Sequence, residues 1–322
     1  MKLHYVALAM VVGWLEPAGA ARDVVVAADG SGDFRSVQAA IDAAPSNASE
    51  RTTILVRRGT YAELVVVPVE KRRLTLRGED RRGTVIAMAN NARVNLGGRR
   101  ELMAVLADDF VLENLTLHNT TPKGGSQAEA LRVRADRCVL RHCDFRSFQD
   151  TLRLDGRVFV DECRVEGDVD FIWGGGTAYF RRCELYARHD GYLVQARNDA
   201  AHYGYVFVDC RLTGAPDIAR YVLARIDPGR FPDSQVAFID CALGKFVSPE
   251  GWQLDKAPGA AEVAPATKIR FWEFHSTDLD GGAIDVGQRI AASRRLTPME
   301  AEQMRDVVSV LGGDDRWNPT RP

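Results

Sequence analysis

The amino-acid sequence predicts an all-β fold, a parallel β-helix solenoid with a short N-terminal capping helix. Three observations carry this: a recurring unit, a cysteine held at one place within it, and strand-like composition. The units are Phe110–Leu117, Val139–Phe145, Val158–Val165, Tyr179–Leu185, Val206–Leu212 and Ala237–Leu243. Each has an apolar run, one or two polar residues, a Cys or Asn, one further residue and then an apolar one. The marker residues are Asn114, Cys143, Cys163, Cys183, Cys210 and Cys241, at intervals of 29, 20, 20, 27 and 31 residues. Self-similarity at this period marks a solenoid. The β-branched and aromatic content, with its period-two alternation, makes the units strands. So short a unit cannot bury its own apolar face, so neighbours must stack. A β-sandwich is the competing fold, and five matched cysteine registers argue against it. Longer intervals mark loops inserted between coils, a common location for ligand sites.

The ends of the stack need covers. Asp33–Pro45 reads as a short amphipathic helix capped by Ser36 or Asp33, with Val37, Ala40, Ile41 and Ala44 on one face. Thr297–Met304 reads as a second capped helix, and Ala257–Thr267 as a surface loop. No linker divides the chain, so residues 21–322 are expected to form one domain. Residues 1–20 read as a signal peptide: Lys2 and His4, the apolar run Tyr5–Leu15, then Ala18-Gly19-Ala20 as cleavage site. The run is short for a membrane span, so a secreted or periplasmic protein without stable membrane insertion is expected. Five of the six cysteines form the predicted column of buried thiols. Cys138 with Cys143 is the pair placed to oxidise.

The chain has 322 residues, 46% of them hydrophobic, and a formal net charge of −2. That charge gives no general affinity for nucleic acid. Six of the 42 basic residues are lysines, the rest arginines. Arginine suits bidentate recognition of carboxylates, such as those of an acidic polysaccharide.

The candidate chemistry lies at coil spacing. Gln127 and Gln149 are 22 residues apart, and Asp150 and Asp170 are 20 apart. Side chains one coil apart stack on one face, with strands roughly 4.8 Å apart. Two carboxylates so close repel, which should leave one protonated and one ionised. The glutamine amides are neutral donors suited to an oxyanion. These parts suffice for an ester hydrolase.

Longer motifs support that reading. Val26–Phe34, Gly59–Glu63, Asp109–Thr120, Gln127–Leu131, Phe148–Leu152 and Gly167–Gly174 occur in an order and spacing that resemble the pectin methylesterase (pectinesterase) family. Those carbohydrate esterases have a right-handed parallel β-helix, and the resemblance runs from about Val24 to Pro319. It implies Asp170 as nucleophile, Asp150 as general acid and then base, and Gln127 and Gln149 as oxyanion donors. Arg225 would pair with the nucleophile. Gln127, Arg225, Phe148, Trp173 and Trp252 would contact substrate. The implied reaction hydrolyses methyl esters of galacturonan to carboxylate and methanol, with no metal or organic cofactor. A monomer is expected.

Substrate positions depart from the family more than catalytic ones. Arg225 is followed by Ile226-Asp227 instead of Pro-Trp. Gly97-Gly98-Arg99-Arg100 replaces a loop that usually offers a threonine, Asp168 replaces a threonine and Arg153 an aromatic. Alternation would put Asp168 on the face of Asp170, where it would disturb the nucleophile. An esterase or acyl-thioester hydrolase acting on another ligand is the alternative. A non-catalytic carbohydrate-binding β-helix and a polysaccharide lyase are more distant ones. No Gly-x-Ser-x-Gly elbow or His-Glu-x-x-His motif occurs, and no pair of the six histidines has ligand spacing. His118 and His142 are expected at coil turns. Three glycosylation sequons begin at Asn47, Asn114 and Asn119.

Overall fold

The computed structural model describes residues 24–95 and 98–321; the expected signal peptide lies outside the described residues. The chain winds into a parallel β-helix, and every ladder between its described strands is parallel. Each coil contributes to three faces. The first is an 11-stranded sheet running from Val24–Val26 to Ser293–Arg295. The second runs from Gly59–Tyr61 to Thr277–Asp278. The third contains Val65–Val67, Met103–Val105, Leu131–Val133, Leu152–Leu154, Tyr221–Ile226 and Trp252–Leu254. Two long strands, Arg164–Gly174 and Glu184–Ala196, bend from the second face into the third.

One left-handed residue makes the corner between the first and second faces. Asn114, His142, Glu162, Arg182, Asp209, Asp240 and His275 have φ of 60, 54, 51, 50, 54, 53 and 52°. L-residues enter this region at a cost, and Asn and Asp most readily. The residue after each corner points inward, which is why Cys143, Cys163, Cys183, Cys210 and Cys241 line up. The register Thr116↔Asp144 puts Leu115 opposite Cys143 and Asn114 opposite His142, so Asn114 belongs to the corners and not to the column. His142 is a corner, as expected, while His118 lies inside the strand Thr116–Asn119.

All six cysteines are free and buried. The pairing suggested for Cys138 and Cys143 does not occur. Cys138 opens a strand and faces the Ala107 carbonyl, while Cys143 follows the corner and faces the Leu112 carbonyl. Burial pushes the Cys138, Cys163 and Cys210 thiols well up. A buried thiol offers almost no thiolate for reaction. A charged thiol reagent is therefore expected to leave the native protein unlabelled and to titrate six thiols after denaturation without reductant. Fast native labelling would contradict this burial.

Inside the solenoid, side chains one coil apart stack face to face. Phe180, Phe207 and Phe238 have ring centroids 4.5 and 4.7 Å apart, a spacing that adds about 0.5–1.5 kcal/mol per pair to area burial. The helix Val37–Ala43, capped by Ser36, covers the first coil with Val37, Ala40 and Ile41. Asp33 instead accepts the Val25 N–H. The second predicted helix spans Pro298–Arg305 with a reciprocal Thr297–Glu300 capping box. It covers no end. With Val307–Leu311 it lies on the outer side of the first sheet, against Phe159, Tyr179 and Val206. That outer side is apolar, so it needs the cover. No described helix is long and apolar enough to cross a membrane.

Candidate active site

The third face brings the two aspartates together. The register Leu152↔Ile172, followed back two residues, sets Asp150 opposite Asp170. The Asp150 N–H donates to the Val169 carbonyl at 3.1 Å, joining the two coils there. Both aspartates adopt left-handed conformations, with φ of 68° for Asp150 and 48° for Asp170. Non-glycine residues in this region cost about 1–3 kcal/mol and concentrate at functional sites. Two contacts hold the strained bends: Thr151 Oγ1 donates to the Glu166 carbonyl at 2.8 Å, and the buried Tyr221 hydroxyl to the Asp168 carbonyl at 2.6 Å.

Asp170 is 6% exposed and is gripped by Arg225, whose Nε and Nη2 donate to Oδ1 and Oδ2 at 2.8 and 2.5 Å. This is a fork-on-carboxylate pair, which fixes both charge and orientation. Arg225 comes from Tyr221–Ile226, two coils beyond Asp170, and its guanidinium lies 4.3 Å from the Tyr192 ring centroid. Gln195 Nε2 approaches Asp170 Oδ2 at 3.4 Å.

Asp150 is 7% exposed and has a different setting. Among the described residues, its one side-chain hydrogen bond comes from Arg100 Nη2 at 3.1 Å. Burial, with the nearby Glu129 and Asp170 charges, outweighs Arg100 and Arg197 and lifts its pKa from 3.8 to about 8. At neutral pH Asp150 is thus mostly a protonated acid beside an arginine-paired carboxylate. Gln127 and Gln149 are half-buried on neighbouring coils, where the Ala128 N–H donates to the Gln149 carbonyl at 3.2 Å. Gln127 Oε1 accepts from Ser126 Oγ at 2.8 Å. Among the described residues, neither Nε2 has a protein acceptor, so both amides remain free to donate.

Residues 23–291 match the family model described as pectinesterase. The chain belongs to the pectinesterase family. That family comprises carboxylic ester hydrolases, and this member is 39% identical over 207 residues to pectinesterase 31 of Arabidopsis thaliana. The match covers 60% of this chain and 65% of that relative. Pectin methylesterase from carrot superposes with a TM-score of 0.80 at 26% identity, covering 95% of this chain and 98% of the carrot chain. A pectin methylesterase solved in complex with a hexasaccharide gives a TM-score of 0.77 at 26% identity, covering 94% and 100%. These likenesses make the fold the right-handed parallel β-helix.

Several positions expected to contact substrate differ from expectation in this family member. Trp252 is 1% exposed and stacks on Phe271 at 4.7 Å inside the solenoid, so it has no face to offer a sugar. Its register with Ala224 places it in the third sheet pointing inward, as part of the core ladder. Trp173 is 5% exposed, with the guanidiniums of Arg153, Arg197 and Arg100 lying 4.3, 4.7 and 5.3 Å from its ring centroid. Its aromatic face is therefore occupied by cations. Phe148 is half-buried, stacks beside His189 and carries the Arg188 guanidinium 3.8 Å from its centroid.

Asp168 does not share a face with Asp170. The pairing with the next strand shifts register between Val169 and Ile172, and the left-handed bend at Asp170 turns the later side chain away. Asp168 caps the Val169 N–H at 2.6 Å and lines a cavity of about 220 Å³ with Phe148, Gln149 and Lys123. Burial raises its pKa, opposed by His189, Lys123 and Arg188.

Four residues near the chemistry had no role assigned from sequence: Arg100, Glu129, Gln195 and Arg197. Arg100 stood out only as a departure from the family loop. Gln195 lies opposite Trp173 in the register beyond the shift, which conceals it from simple periodicity. Arg197 bonds Gln195 Oε1 through Nε at 2.8 Å.

Proposed function

We propose that this protein hydrolyses methyl esters of galacturonan, with Asp170 as nucleophile and Asp150 as acid and then base. The observation that carries this reading is the pair of aspartates in opposite electrostatic settings at one place. Asp170 attacks the ester carbonyl carbon, and the oxyanion takes hydrogen bonds from the Gln127 and Gln149 amides. The intermediate collapses as the methoxy oxygen takes the Asp150 proton, releasing methanol and leaving an acyl–Asp170 anhydride. Asp150, now a carboxylate, removes a proton from water, and the hydroxide attacks the acyl carbon. Asp170 departs as carboxylate, the product leaves as a uronic acid that gives its proton to solvent, and Asp150 holds its proton again. The step uses side chains alone and calls for no cofactor. Arg197, over Trp173 and with no carboxylate partner among the described residues, gives the surroundings of that ring a positive character, which suits a polyuronate. Phe148, which lines the cavity beside Asp168, remains a substrate-contact proposal. A secreted or periplasmic monomer with one domain accords with this substrate.

Methanol release from highly methylated pectin tests the reading, with Asp170→Ala as control. Saturable release several hundred-fold above the control is expected. Release no greater than the control refutes pectin as substrate. Two observations favour a second reading, an esterase or thioesterase acting on another ligand: Ile226-Asp227 follows Arg225, and both tryptophans considered for sugar contact are covered. A thioester substrate assayed in parallel separates the two.

A further inference from the structure

The third face holds a file of acids, of which the mechanism uses two. The register Leu131↔Leu152↔Ile172 puts Glu129, Asp150 and Asp170 at the same position on three successive coils. Glu129 is 1% exposed, and its Oε2 is buried with no hydrogen-bond partner. Its Oε1 accepts from Arg100 Nε at 2.8 Å, while Arg100 Nη2 reaches Asp150 Oδ2 at 3.1 Å. One guanidinium thus bridges two neighbouring acids, one of which must keep a proton to act.

We propose that Glu129 is a positioning residue for the general acid: it holds and neutralises Arg100, so that Arg100 orients Asp150 without stripping its proton. The inference rests on Asp150 being that acid. Charge balance supplies the reason. With Asp150 protonated, the charge of Arg100 is balanced by Glu129 alone, whose pKa burial raises and the Arg100 pairing lowers, while Arg225 is shared by Asp170 and Asp255. Remove the Glu129 charge and Arg100 is left as an excess cation in a buried place, which ionising Asp150 relieves. The charged groups acting on Asp150 are Glu129 and Asp170, which favour its proton, and Arg100 and Arg197, which oppose it. Among the described residues Arg197 has no carboxylate partner and stands over Trp173, so Arg100 is the cation in direct contact.

The test is the pH profile of kcat/KM for methyl-ester hydrolysis. In Glu129→Gln the alkaline limb is expected to move down by at least one pH unit, with activity at pH 8 falling about tenfold and KM changing less than twofold. Arg100→Gln is expected to move the limb up. The double variant, carrying neither charge, is expected to return it to within half a unit of the parent. A merely structural role for Glu129 would lower activity evenly across pH. An unmoved limb in Glu129→Gln, or a double variant no better than the single, overturns the proposal. If Glu129→Gln does not fold, the Arg100→Gln limb decides alone: upward supports the bridge and unchanged overturns it. Failure of this inference leaves Asp150→Asn inactive, whereas failure of the functional reading leaves Asp150→Asn active or the parent without methanol release.

Discussion

Asp150→Asn is expected to lower kcat by about 10²–10⁴-fold, the range for a positioned acid–base group, while making the fold more stable. The amide keeps the shape of the carboxyl and removes its proton chemistry. The stability gain follows from linkage. Asp150 has a folded pKa of about 8 against 3.8 for the model carboxyl. Between those values the unfolded chain releases a proton that the native protein retains, so the native state loses stability as pH rises. The penalty is absent below about pH 4 and complete above about pH 8, where it reaches several kcal/mol as an order of magnitude. The asparagine variant escapes it. Thermal melts at pH 4 and pH 8 should show a Tm advantage of the variant that is small at the first and large at the second. Wild-type-like turnover, or an advantage that shrinks with rising pH, contradicts the assignment.

Arg225→Lys is expected to lower kcat about 10²-fold, because a single ammonium cannot reproduce two parallel N–H donors on Asp170. Arg225→Ala goes further and leaves Asp170 buried without its charge partner. Breaking a buried pair from one side costs about 3–5 kcal/mol, and the quarter exposure of Arg225 puts this case near the lower end. Urea unfolding of Arg225→Ala should show that loss, and adding Asp170→Asn should restore most of it because no unpaired charge remains. If Arg225→Ala unfolds like the parent, the pair contributes neither orientation nor stability.

The solenoid was legible because its signal is periodic. Coil after coil repeats an apolar strand, a left-handed corner and an inward small residue, so five cysteines reveal the period. The aspartate pair was legible for the same reason: 20 residues is one coil of the register that joins Leu152 to Ile172. Periodicity failed where the chain leaves it. Asp168 and Asp170 obey alternation on paper, but the register shift and the φ of 48° at Asp170 separate them. Asn114 was placed in the cysteine column because its segment reads alike; the ladder shifts it by one residue to a corner. Trp173 and Trp252 were expected to contact substrate. The first is covered by arginines from other coils and the second stacks in the core, and neither fact is encoded in its own segment.

By itself the sequence determined the coil period, the strand character of each unit, the buried thiol column and the one-coil separation of Asp150 from Asp170. These are properties of residue type and chain distance. Only the tertiary structure decided which acid keeps its proton. That depends on Arg100, Glu129 and Arg225, residues 50, 21 and 55 positions from the aspartates they serve. A hydrogen bond between coils is set by corner geometry and loop path, which leave no repeat in the chain. Burial, which raises the Asp150 pKa most, comes from the packed whole.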